Sequence, residues 1–390
     1  MYIEREIKEK FQKIEETYPI IALVGARQCG KTTFLKENSK KFKASYLLFD
    51  DPDVRTIFEN DIKKFENQYI EGFELSILDE VQYCKDAGRN LKYLADKNKR
   101  LWITSSSEMI LGKEVLSYLV GRVSILKLYP FSINEFLKSK KQKEITEGIL
   151  ERHVLEHINF GGYPKVVQSE NIELKKIILK DLYDTMILKD IAKTFLIENI
   201  NSLEEFSRYL SLIIGGVISY ENISKEINLS FQTIKKYLDA MEKSYLISRA
   251  KPFHTNKIKE ITKQPKIYFI DTGLRNIIAK NFDVTPSGQL FENYVYSELL
   301  KFGFEPKYWR TKSGAEVDFV VDVDGQIIPI EVKAKADNKV SKSLRSFIDN
   351  YNPKRAFVVS YKNKQGKINI NNCEVMFLDI LSLKKQLKKD

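Results

Sequence analysis

Cysteine and histidine are scarce in this sequence and long apolar runs are missing from it. Each shortage removes a class of protein. The three cysteines, Cys29, Cys84 and Cys373, are scattered and odd in number. They make neither a disulfide framework nor a metal-spaced cluster, which fits a reducing cytoplasm. Two of the three histidines, His153 and His157, stand i, i+4 on one helical stretch. Without a third ligand motif nearby they read as structural. No apolar run approaches the roughly 20 residues of a membrane span. The opening Met1-Tyr2-Ile3-Glu4-Arg5-Glu6 holds no signal-peptide core, so the expected place is the cytoplasm, with no membrane partner.

What is present is the composition of a soluble globular protein, 43% hydrophobic and 30% charged over 390 residues. That length exceeds one core and predicts two or three domains. A net charge of +11 suits a polyanionic partner. A lysine-rich solvated surface gives the same number without one.

Residues 20 to 33 organise the rest. The buried-strand run Ile20 to Val24 delivers Gly25, and Gly30, Lys31 and Thr32 complete the pattern G-x-x-x-x-G-K-[ST] of a phosphate-binding P-loop. Two glycines let the backbone turn tightly and aim N–H groups at phosphate oxygens. Gly25, Ala26, Arg27, Gln28, Cys29, Gly30, Lys31, Thr32 and Thr33 therefore form the expected ATP or ADP cradle. Lys31 brings a cation to the phosphates and Thr32 a hydroxyl to Mg²⁺. The helix that starts here turns its positive end the same way. Cys29 reads as a small neutral filler of the loop.

Residues 5 to 16 predict a charged helix and Ala44 to Phe49 a strand. Glu74 to Glu80 is an apolar strand ending in two carboxylates, the Walker B pattern. Asp79 at its tip suits Mg²⁺, and Glu80 suits polarising the attacking water. Arg100 to Thr104 is a further strand, ending in Ser105-Ser106-Ser107, and Ser124 to Leu128 another. Arg122 reads either as an arginine finger acting in trans across a homo-oligomer interface or as a surface ion-pair residue. Strands alternating with helices predict an α/β fold with a parallel sheet.

The order of five motifs resembles a widespread prokaryotic family of AAA+ ATPases fused to a C-terminal domain of unknown function. They are the P-loop, Ile77-Leu78-Asp79-Glu80-Val81-Gln82, Ile103-Thr104-Ser105-Ser106-Ser107, Gly121-Arg122-Val123 and Leu128-Tyr129-Pro130-Phe131-Ser132. The likeness continues through Phe160-Gly161-Gly162-Tyr163-Pro164 and Tyr268-Phe269-Ile270-Asp271-Thr272-Gly273-Leu274 to Glu331-Val332-Lys333. It implies a sensor serine beside the γ-phosphate, Ser105 or Ser106, with an ordinary N-cap serine as the alternative. The family often has glycine where Ser105 stands.

Residues 1 to 140 are thus the expected ATPase core and 141 to 200 a helical lid. The lid holds a helix from Glu147 to Asn159, the turn Gly161 to Pro164 and a long helix from Leu174 to Thr194. Residues 201 to 260 read as a winged helix: a short helix at Ile223 to Ile227, a turn, a second helix from Phe231 to Tyr245, and the wing strand Leu246 to Ala250. Ser230, Gln232, Thr233, Lys235 and Lys236 occupy the start of the second helix, where a DNA reader places its contacts. Packing or dimerisation is the other use of such a module.

In residues 261 to 390, a helix from Gln289 to Phe302 carries Glu292. Asp324-Gly325 is a two-residue hairpin signal. Counting back from it sets Asp318 opposite Glu331 and Glu316 opposite Lys333, on one face. Three carboxylates and a lysine there predict a divalent-cation site, with Lys333 able to relieve part of the repulsion through Glu316. The order helix Glu, Asp, Glu-x-Lys resembles the PD-(D/E)XK nuclease fold. That resemblance implies Asp318 and Glu331 as Mg²⁺ ligands, Lys333 as the lysine and Glu292 as the helix acid. The sequence therefore predicts an ATPase acting on DNA. Its rivals are an ATP-dependent nuclease and a nucleotide-gated protein-binding scaffold.

Overall fold

A computed structural model describes residues 2–106, 112, 115–140, 146–254, 258, 260, 263–282, 285–334, 339–361 and 366–388. Ser107 and most of the charged stretch at the expected core–lid boundary lie outside them. Two compact units result. The first is Met1–Pro130 with Leu188–Leu196 and Lys243–Tyr245; the second is Phe131–Ile187, Ile197–Glu242 and Leu246–Asp390. No helix among the described residues is long and apolar enough to cross a membrane.

The first unit is built on five parallel strands: β1 (Ile20–Val24), β2 (Ala44–Leu48), β3 (Leu75–Asp79), β4 (Leu101–Ser105) and β5 (Val123–Lys127). Their order is β2-β3-β4-β1-β5. β1, β3 and β4 are buried along their whole length, as apolar runs covered on both faces of a parallel sheet must be. Val24 pairs with Ser105 and Leu48 with Asp79, so the strand tips align along one edge. That carboxyl edge is where open parallel sheets place their ligands. The expected N-terminal helix forms at Lys8–Glu15 and is anchored by Phe11, whose ring lies 5.0 Å from Phe34 and 4.8 Å from Trp102.

In the second unit, helices Tyr220–Ile227 and Phe231–Lys243 precede strand β6 (Ile247–Ala250), which pairs antiparallel with β7 (Lys266–Phe269). The long helix expected from Leu174 to Thr194 divides instead. It is α-helical over Ile172–Thr185 and π-helical over Met186–Lys193. A wider turn inserts a residue without breaking the apolar pattern, so periodicity alone could not reveal it.

The C-terminal sheet adds β8 (Lys307–Arg310), β9 (Glu316–Val323), β10 (Gln326–Lys333), β11 (Arg355–Ser360), β12 (Gly366–Ile370) and β13 (Cys373–Asp379). Its order is β12-β13-β11-β10-β9-β8. Trp309, Val317, Leu344, Phe347, Val358 and Val375 share its core. The β9–β10 register is the one the turn dictates, Gln326 opposite Val323 and Ile330 opposite Phe319. Asp324 and Gly325 both take the left-handed conformation (φ 51° and 83°) that such a two-residue turn requires.

Two of the motifs behind the resemblance are packing devices. Gly162 N–H donates to the buried Asp271 carboxylate at 2.8 Å. A Cβ on Gly162 would meet Phe131 O at 2.2 Å, and one on Gly273 would meet Phe160 O at 2.2 Å. Backbone touches backbone there, which only glycine permits. His157 lies between Tyr294 Oη (2.8 Å) and Phe131 O (3.0 Å), and burial holds its pKa well below the usual value. It is a neutral packing histidine.

Candidate functional site

The P-loop begins where β1 ends. A Cβ on Gly25 would stand 2.0 Å from Leu128 O, so the chain leaving β5 crosses too close for any side chain. Gly30, at φ 103°, opens helix Lys31–Asn38. Lys31 is buried, its Nζ donating to Gly25 O (2.9 Å) and Ala26 O (3.0 Å). The cation is thus folded back over its own loop. Cys29 is wholly buried and its Sγ faces Leu128 O at 3.2 Å. Burial raises its thiol pKa, which agrees with an inert filler.

Thr32 Oγ1 donates to Asp79 Oδ2 at 2.8 Å. The structure therefore joins the two motifs that the sequence separates by 47 positions. Asp79 also accepts from Tyr46 Oη (2.6 Å) and Thr104 Oγ1 (2.5 Å). A hydroxyl beside a carboxylate at a helix N-terminus is a hard-oxygen donor set, the kind Mg²⁺ takes. Glu80 follows in the left-handed conformation (φ 61°), with its N–H donating to Thr104 Oγ1 at 2.9 Å. Its carboxylate accepts from Gln82 Nε2 and lies 3.3 Å from Ser106 Oγ. Of the two serines, Ser106 meets Glu80, whereas Ser105 gives its carbonyl to Gly25 N–H at 3.3 Å.

Arg27 points to Asp190, Nη2 to Oδ1 2.9 Å, and to Tyr83 Oη at 3.2 Å. Gln28 has φ 60° and is exposed, and Ala26 is buried. Arg122 is placed at the other edge of the sheet, since Val123 pairs with Ile20 at the start of β1. Its Nε binds Asp96 Oδ1 at 2.6 Å and its side chain is 37% exposed. That geometry is the ion-pair alternative, and any reach to phosphate from there has to cross to another subunit.

On helix Phe231–Lys243, Gln232, Lys235 and Lys236 are exposed. Ser230 Oγ caps the helix by accepting Thr233 N–H at 3.1 Å, and it sits 2.8 Å from Thr233 Oγ1. Two of the five expected DNA contacts are thus engaged in holding the helix start.

The C-terminal carboxylates gather around a cation that the sequence reading did not include. Lys266 on β7 has a side chain only 3% exposed, with Nζ 2.5 Å from Glu316 Oε1 and 3.1 Å from Glu292 Oε1. Tyr268 Oη donates to the same Glu292 oxygen at 2.5 Å. The expected Glu316–Lys333 pairing is therefore replaced, because a nearer buried ammonium reaches Glu316 from another sheet. Lys333 Nζ donates to Lys339 O (2.8 Å) and lies 3.8 Å from Glu331. Asp318 accepts Val332 N–H at 2.7 Å. Burial, then the Glu292 charge, pushes its carboxyl up to about 8, against the pull of the Val332 N–H and Lys266. Among the described residues, no three His, Cys, Asp or Glu side chains group as a metal-binding cluster.

Thr104, Tyr46, Gln82, Asp190 and Lys266 were not legible as site residues. Thr104 carried a faint signal, since it closes the strand before the serine run. Tyr46, Asp190 and Lys266 depend on strand order and long-range packing, whereas Gln82 meets Glu80 two positions away.

Comparison with known proteins accounts for the chain in three parts. Residues 17–137 match the family described as an AAA domain, and residues 151–285 and 287–380 match two domains of unknown function, DUF8612 and DUF4143. An uncharacterized protein of Methanocaldococcus jannaschii is 29% identical, across 91% of this chain and 85% of its own. One of Mycobacterium tuberculosis is 23% identical, across 89% and 77%. Among solved structures, the Walker-type ATPase of Pyrococcus abyssi aligns with a TM-score of 0.47 at 13% identity, covering 71% of this chain and 96% of its own. Residues 17–137, which carry the P-loop, thus match a family described as an AAA domain over under a third of the chain.

Proposed function

We propose that this chain binds and hydrolyses ATP at the P-loop and couples turnover to action on DNA. The observation that carries the reading is the 2.8 Å contact from Thr32 to Asp79 beside a buried, loop-held Lys31. In this reading the N–H groups of residues 25–33 wrap the phosphates and Lys31 neutralises them. Thr32 and Asp79 would hold Mg²⁺, which when bound neutralises charge on the phosphates. Glu80, steadied by Gln82 and Ser106, orients the water and takes its proton, and Ser106 reports on phosphate through that contact. Arg122 serves only in trans, in a homo-oligomer. Residues 141–200 act as a lid and 201–260 as a winged helix. The test is phosphate release by the purified chain with ATP and Mg²⁺, with and without several DNA forms. Release no faster than the background ends the reading.

The DNA half rests on the exposed Gln232, Lys235 and Lys236 at the start of one helix. Phosphate contacts release counterions, so binding should weaken steeply with salt. Lys235→Glu with Lys236→Glu is expected to lower affinity for duplex DNA at low salt and to flatten its salt slope by about two. An unchanged slope in a fluorescence-anisotropy titration takes this helix out of the interface.

DNA cleavage by Asp318, Glu331 and Lys333 is the second reading, supported by the pairing of Phe319 with Ile330, the neighbours of Asp318 and Glu331. Against it stands Lys266, which already supplies a cation to Glu292 and Glu316. Millimolar Mn²⁺ is therefore expected to leave both plasmid integrity and the melting of an Asp79→Asn variant unchanged. A Mn²⁺-dependent rise in melting temperature that Asp318→Asn removes would restore the nuclease reading.

A further inference from the structure

Asp190 lies outside the AAA-domain match but inside the same compact unit as the P-loop. It is 5% exposed. Its carboxylate takes Arg27 in a forked contact: Nη2 is 2.9 Å from Oδ1, and Nε is 3.2 Å from Oδ1 and 3.1 Å from Oδ2. Arg27 also reaches Tyr83, three positions past Glu80, and the Asp190 carbonyl accepts Ser244 Oγ at 3.0 Å. The Asp190–Arg27 pair thus ties the phosphate loop, the turn after the Walker B strand, and the two short segments 188–196 and 243–245. Burial raises the Asp190 pKa and Arg27 opposes it, while the charges of Glu80 and Lys31 both act on this carboxylate. Asp190 therefore belongs to the electrostatics of the phosphate site.

A guanidinium fork fits carboxylate and phosphate equally well, so the two anions compete for it. We propose that Asp190 sets the nucleotide affinity of the P-loop. It holds Arg27 as an internal anion, and a bound nucleoside triphosphate draws Arg27 from Asp190 to its phosphates, so that loop occupancy is passed into residues 186–196. Those residues include the π-helical segment Met186–Lys193, a form frequent at functional sites. The inference rests on the nucleotide-binding reading above.

The test is a titration of wild type, Asp190→Asn and Asp190→Asn/Arg27→Met with a fluorescent ATP analogue. Asp190→Asn deletes a negative charge beside the phosphates and frees Arg27, so it should bind about tenfold more tightly. The double variant should lose that gain. In wild type, the nucleotide should also change the rate of tryptic cleavage at Lys189 and Lys193, and Arg27→Met should abolish this response. A role limited to packing would lower stability and leave both readouts unmoved. If wild type binds the analogue and Asp190→Asn binds it no more tightly, Asp190 does not set the affinity. If Asp190→Asn does not fold, a nucleotide-dependent cleavage that persists in Arg27→Met overturns the proposal equally. Failure of wild type to bind any nucleotide instead removes the P-loop reading, and this inference with it.

Discussion

Glu80→Gln is expected to slow ATP turnover by about 10²- to 10⁴-fold while leaving nucleotide affinity intact. The substitution keeps size and shape. It keeps the backbone N–H on Thr104 and leaves Gln82 and Ser106 beside the side chain. What it removes is the charge that, in the proposed mechanism, accepts a proton from water. Lys31→Ala should act on the other step. It deletes the buried ammonium that Gly25 O and Ala26 O position, and it should weaken ATP binding on the order of 100-fold, as loss of a charged hydrogen-bond donor does. Phosphate release and a fluorescent-nucleotide titration on both variants separate the two effects. Wild-type hydrolysis by Glu80→Gln would show that another group activates the water.

Lys266→Met should destabilise the second unit by about 3–5 kcal/mol, the usual effect of removing one partner from a buried ion pair. Burial alone would lower the Lys266 pKa, but Glu292 and Glu316 outweigh it and hold the ammonium above its ordinary value. Without that ammonium, Glu292 is left beside Tyr268 and Asp318 as an uncompensated charge. Glu316 is more exposed and can turn to water and to Arg310, 3.6 Å away, so most of the loss falls on Glu292. Adding Glu292→Gln should recover part of it, because the pair is then replaced rather than broken. Urea unfolding of the three chains measures this. A midpoint for Lys266→Met equal to that of wild type would mean that the cluster does not hold the unit together.

The parts legible in the sequence are those whose geometry is local. The loop from Gly25 to Thr32 could be read because its glycines, lysine and threonine are fixed by adjacent backbone turns. The β9–β10 register could be read because Asp324-Gly325 admits one pairing, and period two then sets every face. The helix pair around Asn228 followed from apolar spacing on either side of a turn. None of these needed a partner from far along the chain.

Tertiary structure decided the rest, because sheet order is not written in any single strand. Placing β4 between β1 and β3 brings Thr104 to Asp79 and Glu80, and placing β2 beyond β3 brings Tyr46 to the same carboxylate. Parallel pairing with β1 puts Arg122 at the edge away from the P-loop. Asp190 reaches Arg27 across 163 positions, and Lys266 rather than Lys333 meets Glu316 because β7 comes from a separate two-stranded sheet. The sequence alone determined which residues could bind phosphate and which could carry charge. The fold determined which charges meet, since a buried ion pair is chosen by proximity in space and by the cost of leaving either partner without the other.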